Sequence, residues 1–220
     1  MARLIDLAAL AALAALGCGG ASDGPGDGGG RDRDDGDGPD PFACAPRIGD
    51  LTAPIELVPI SAAGPDGTVL TDGAVVPMIA PPQGGIILLV GVRARNVNGC
   101  AVQLTAALRD PGTNQVVGLE SRPAQLRVGV DGWGVPVEAH FFSMANLAVC
   151  PAAGATRDVV DQPWRLELSV DDDGRQATTA VTIVPSCAGV DPAWDCPCQC
   201  AADYQPGMCA ALPDGGDAGV

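Results

Sequence analysis

From Ile55 onward, apolar and polar residues alternate with period two, and Gly, Pro, Asn and Asp interrupt the alternation at short intervals. That period places every second side chain on one face of an extended strand. Val102, Leu104, Ala106 and Leu108 alternate with Gln103, Thr105 and Ala107 before a turn at Asp110-Pro111-Gly112-Thr113. Leu126, Val128 and Val130 alternate with Arg127 and Gly129, and Val135, Val137, Ala139 and Phe141 follow in the same way. Ile86 to Arg95 is an apolar run ending in arginines, the pattern of a central strand. Ile55 to Ile60 and Val75 to Ile79 carry Pro59 and Pro77, which cannot donate to a ladder and so predict edges. After the first twenty residues no eleven-residue window carries a helical period. The chain is therefore expected to be all-β, with about seven to nine short strands over residues 41–185 forming a two-sheet β-sandwich. An open barrel is the alternative.

The clearest unit is WRLELSVDDDGRQATTAVTIVP, beginning at Trp164. Trp164, Leu166, Leu168 and Val170 share one face, Asp171-Asp172-Asp173-Gly174 turns the chain, and Thr179, Val181 and Ile183 return along the core. This hairpin resembles the last two strands of bacterial Ig-like domains, in which an alternating strand, an acidic-Gly turn and a Thr/Val-rich strand recur. The resemblance spans roughly twenty residues and implies an Ig-like sandwich.

Ahead of the domain the pattern changes twice. Leu7 to Leu16 is an Ala/Leu run behind Arg3, with no polar face. At ten residues it is too short for a bilayer, which takes about 20, and it fits an export signal over residues 1–17. Ala15-Leu16-Gly17-Cys18 resembles a bacterial lipobox, which implies cleavage before Cys18 and lipidation of its thiol. Gly17 and Cys18 match that pattern; Ala15 stands where Leu is usual, and Asp6 is uncommon in a signal. Cleavage after Ala21 is the rival reading. Residues 18–40 follow as a tether. Seven Asp against two Arg between Gly19 and Asp40 leave −5 and almost no apolar side chains, a composition that stays disordered. The plan as a whole is similar to that of lipoproteins of myxobacteria and related Gram-negative bacteria. They share a GCG lipidation site, a DG-rich tether, an all-β domain opening like PRIGDLTAPIELVPI, and scattered cysteines. That likeness implies an outer-membrane anchor, facing the periplasm or the cell surface, and carries over no functional residue.

Export makes disulfides the default for the remaining cysteines. Cys44, Cys100 and Cys150 fall in the domain; Cys187, Cys196, Cys198, Cys200 and Cys209 fall in a tail over residues 186–212, before a disordered end at 213–220. Both groups are odd in number, so full pairing requires at least one bridge from domain to tail, although the connectivity itself stays open. The run DCPCQC looks at first like a metal site. However, zinc sites space paired Cys by two to four residues, and here single residues separate them. An extended run would place Cys196, Cys198 and Cys200 on one face, each sulfur reaching a different partner.

Composition narrows the function further. The net charge of −15 argues against nucleic acid, and the absence of Lys removes Schiff-base chemistry and a P-loop lysine. His140 is the only histidine, which excludes sites needing two imidazoles. On a Val135–Phe141 strand it shares the outward face with Glu138, while Ser143 falls on the other face. The glutamates Glu56, Glu120, Glu138 and Glu167 are scattered. The aspartates of the tether and of the 171–173 turn invite a calcium reading, but neither completes a loop of ligands. Trp133, between two glycines, is the candidate contact residue; folding back to cap the sandwich is its alternative. The expected protein is a non-enzymatic, lipid-anchored envelope protein whose Ig-like module binds a protein or glycan partner, with no cofactor and no metal. A soft-metal or redox role for the tail thiolates is the alternative, and a hydrolase comes third.

Overall fold

The structure, a computed structural model, describes residues 43–152, 155–191 and 195–209. The expected signal peptide, Cys18, the tether and the 213–220 end lie outside the described residues.

The fold is all-β. Ten-residue β4 (Ile86–Arg95) is its centre. Along one edge it pairs antiparallel with β1 (Glu56–Ser61), and two residues of β2 (Thr68–Val69) add to the far side of β1. Along the other edge β4 pairs with β9 (Ala145–Cys150) and, at Ala94, with β8 (Gly134–Pro136), which carries β7 (Leu126–Val128). The second layer runs β3 (Ala74–Ile79), β11 (Arg175–Gly189), β10 (Trp164–Asp172), β5 (Val102–Arg109), β6 (Val116–Ala124). β3 joins the layers, parallel to β11 along its length and touching β4 at Ile79–Ile87. The β11-β10-β5-β6 order is that of the G-F-C-C′ sheet of an Ig-type sandwich.

Between the layers, Leu88, Val90 and Val92 of β4 and Leu147 of β9 meet Leu104, Ala106 and Leu108 of β5 and Leu166 and Leu168 of β10. Trp164 is fully buried and donates its indole N–H to the Val159 carbonyl at 3.1 Å. The layers close at the β6–β9 side, where a Cβ on Gly118 would meet the Ala148 carbonyl oxygen at 2.5 Å. A smaller cluster covers the outer face of β4: Ile60, Ile87, Leu89 and Met144, with Met144 lying against Gly91.

The predicted hairpin is present, with Asp172 opposite Arg175 leaving Asp173 and Gly174 as a two-residue loop. Both take positive φ, 53° and 84°, the geometry of a tight loop between right-twisted strands.

Several expectations are corrected. The Val135–Phe141 strand ends at Pro136. Proline brings no N–H to continue the ladder, and the chain closes turns instead, the His140 carbonyl accepting from the Ser143 and Met144 amides. His140 and Ser143 therefore sit in a turn. Likewise the 126–130 strand stops at Val128, because Gly129 N–H bonds back to the Trp133 carbonyl; Val130 is wholly exposed. β3 is interior to the strand order rather than an edge, with Pro77 opposite Ser186. Finally, the Cys196–Cys200 run is not extended: Asp195–Gln199 is a helical turn, α1.

The two ends of the sandwich carry different chain segments. At the Arg95 end of β4, Ile48 bridges Val97 and the N-terminal segment bonds through Ala45 N–H to the Leu126 carbonyl. At the Ile86 end stand the ends of β3, β9 and β11, and beyond them the Cys-rich tail.

Gly174→Ala forces a Cβ into the left-handed region, so we expect a loss of about 1–2 kcal/mol in chemical denaturation with an unchanged slope. Asp173→Gly, which relieves a side chain already held at positive φ, should be tolerated in the same assay.

Candidate functional site

Four disulfides join the eight described cysteines. Cys44–Cys100 clamps the N-terminal segment to the β4–β5 loop, across 56 residues of sequence. Cys150–Cys200 ties the end of β9 to the tail, across 50 residues. Cys187–Cys196 and Cys198–Cys209 complete the set. The three tail sulfurs of α1 and its end thus go to three different partners: a helical turn splays alternate side chains apart. The tail is also bonded through its backbone. Val159 N–H donates to the Cys200 carbonyl at 2.9 Å, and Ala202 N–H to Asp158 Oδ1 at 2.9 Å. Cys196 and Cys200 are buried against Val159, Val190 and Cys150 in the main core. With every described cysteine paired, the cap presents cystine rather than thiolate, and four disulfides place the protein in an oxidising compartment. Among the described residues no helix is long and apolar enough to cross a membrane.

Asp110 extends this frame. Its carboxylate accepts from Thr156 Oγ1 at 2.7 Å and from the Gly112 and Thr113 amides at 2.7 and 3.2 Å, tying the β5–β6 turn to the loop that holds the tail. The Thr156 hydroxyl first, then the Gly112 N–H, holds its pKa below the ordinary carboxylate value.

A cleft of about 460 Å³ lies on the outer face of β4 and β9 toward the capped end, lined by Pro81, Pro82, Gln83, Ile87, Arg122, Phe141, Phe142 and Asn146. Three devices form it. Pro81-Pro82 stiffen the β3–β4 loop. The 137–144 turn lifts Phe142 to 82% exposure. Arg122 reaches in from β6, its guanidinium donating to the Phe141 carbonyl and, at 2.9 Å, to the Met144 carbonyl, with Glu120 at 3.0 Å. An apolar lining with a few polar groups is the ordinary make-up of a recognition site. The lining holds no nucleophile, acid or imidazole. His140 lies close by but exposed, its ring edge-on to Phe141 at 4.7 Å.

Trp133 lies at the opposite end of β4. It is folded back over the outer face, its ring within 5.7 Å of the Arg93 guanidinium and 5.4 Å of that of Arg95. Arg93 also pairs with Asp131, which lowers the pKa of that carboxylate. The aspartate triplet converges on nothing: Asp171 accepts from Gln176 Nε2 and Gly174 N–H, while buried Asp172 accepts from Asn98 N–H. No group of three or more potential metal ligands occurs among the described residues.

Of the residues singled out by sequence, the cysteines come together and Trp133 stands apart from them. The cleft residues Phe142, Arg122 and Asn146 were not foreseeable from period-two alternation. The Phe141-Phe142 and Pro81-Pro82 doublets were the visible signal. No protein-family model matches the chain, and no curated protein matches it.

Replacing Cys150 and Cys200 together by Ala should cost about 2–5 kcal/mol and release the tail, read as fast amide exchange at Val159. Acid should act in part through Asp110, alongside Asp50, Asp131 and Asp171, whose pKa values are also lowered. Because the folded pKa of Asp110 is depressed, its contribution is full above the unfolded value and is lost as pH falls through the folded one. Melting temperature should hold from neutrality to about pH 5 and drop below about pH 4, and Asp110→Asn should flatten part of that drop.

Proposed function

We propose that this protein is an exported, lipid-anchored envelope protein, held at the outer membrane through Cys18 and a flexible tether. Its Ig-like domain acts as a non-catalytic binding module for a protein or glycan partner. The observation that carries the reading is the cleft around Phe142: apolar, open, lined by the Pro81-Pro82 loop and the Phe141-Phe142 turn, and furnished with amide and guanidinium groups instead of a catalytic set. The described N-terminal segment joins the Arg95 end of β4, whereas the cleft surrounds Ile87, eight residues and about 26 Å away along the strand.

Two measurements test this. Cells fed an alkynyl fatty acid should label the wild-type protein and not Cys18→Ala; an unlabelled wild type overturns the anchor. Proximity labelling on intact cells should recover a set of neighbours that Phe142→Asp loses while remaining folded and exported. Identical neighbours for both proteins would overturn the binding role of the cleft.

A further inference from the structure

Nine arginines lie among the described residues, and eight of them reach an oxygen: Asp66, Asp131, Glu120 and Glu167 carboxylates, the Gln162 side chain, or backbone carbonyls. Arg95 is the exception. Among the described residues it makes no hydrogen bond and no ion pair, its Nε is buried without a partner, and its guanidinium lies against the Trp133 ring. A half-buried guanidinium without an acceptor is costly, and it is odd in a chain carrying −15, where carboxylates are abundant.

The surroundings specify what would complete it. The guanidinium offers two parallel N–H groups, the geometry that binds a planar carboxylate in bidentate fashion. Both strand edges beside it are already paired, β1 at Glu56–Arg95 and β8 at Ala94–Gly134, so an extended peptide has no free edge to join. Recognition must therefore run through side chains. Around Arg95 these are the indole of Trp133, the Arg93 guanidinium that lies over the same ring, Glu56, exposed on β1 directly opposite, and Asp131, half exposed in the β7–β8 turn and paired with Arg93 through one of its oxygens. An apolar ring face, a carboxylate receptor and flanking hydroxyl acceptors together match a sugar acid.

We propose that Arg95 and Trp133 form a second binding site, for a glycan bearing a carboxylate on its ring, a hexuronate type of residue. Arg95 takes the carboxylate, Trp133 supports the ring, and Glu56 and Asp131 accept from its hydroxyls. The site deepens the reading of the domain as a binding module but stands on other residues than the Phe142 cleft, so either can fail alone.

The test is calorimetric and fluorescence titration of the purified mature protein with glucuronate and with oligogalacturonate, using glucose and acetate as controls. Saturable binding of the sugar acids is expected, with glucose and acetate much weaker. Arg95→Gln and Trp133→Ala should each weaken binding by about tenfold or more, the loss of one charge-assisted bond or of the ring support. Arg95→Lys should fall between, and Glu56→Ala, which removes a hydroxyl acceptor, should weaken binding less than Arg95→Gln does. Because Arg95 makes no bond within the described fold, Arg95→Gln should melt like the wild type, and Phe142→Asp should bind the sugar acids normally. No saturable binding, equal binding by Arg95→Gln, or acetate binding as tightly as glucuronate would each overturn the site.

Discussion

A strand flanked on both edges and covered on both faces leaves its backbone no water to bond, so every polar group of β4 must find a ladder partner. β4 meets that constraint by drawing partial strands to itself: β1 along Val90–Arg95, β9 along Ile86–Val90, and single contacts from β3 and β8. The rest of the architecture follows. β3 is obliged to leave β4 after one contact and continue beside β11, and in doing so it joins the two layers. The 137–144 turn is obliged to cross the outer face of β4, where Met144 seals Gly91 and the phenylalanines are carried outward. The outer face changes along its length from Ile87 and Leu89, through Gly91, to Arg93 and Arg95. One strand thereby presents an apolar surface at one end and a cationic one at the other.

What the sequence reveals of this fold depends on whether hydrophobic alternation coincides with the true inner face. It does for β5 and β10, where Leu104, Leu108, Leu166 and Leu168 are buried. It fails for β6. There the inner face carries Gly118, Glu120, Arg122 and Ala124, each opposite a buried residue of β5, while Leu119 points outward at 67% exposure. Inward charge on an edge strand discourages pairing with other chains, and the same charge inverts the pattern that would announce the strand. The cleft was hidden for this reason, since Arg122 shapes it from a position that alternation assigns to nothing. The turns that cut short the strands after Val128 and Pro136 were hidden for another. Each depends on backbone bonds to a partner chosen by the tertiary fold.

The arrangement of polar groups is economical in a chain with few aromatics and no lysine. Arginine takes several structural roles here. Arg175 donates to the Leu51 and Asn96 carbonyls, fastening the N-terminal loop; Arg157 lies 5.3 Å from the Trp164 ring while bonding the Pro163 carbonyl; Arg122 holds the 141–144 turn. Each caps carbonyls that a loop would otherwise leave bare. Among them Arg95 is distinguished by having none to cap.

The disulfides also divide the chain as a covalent graph. Cys44–Cys100 closes one ring, around β1 to β4, and Cys150–Cys200 closes another, around β10, β11 and α1. None of the four disulfides among the described residues encloses residues 101–149, which hold β5 to β8, Trp133, the Phe142 turn and β9 as far as Val149. A protease cutting inside either ring leaves the pieces joined, whereas a single cut in the exposed turn around Phe142 splits the protein into two separate chains. After such a cut the C-terminal piece would carry the Cys150–Cys200, Cys187–Cys196 and Cys198–Cys209 bridges, and only non-covalent contacts, among them the pairing of β3 with β11, β5 with β10 and β4 with β9, would join it to the rest.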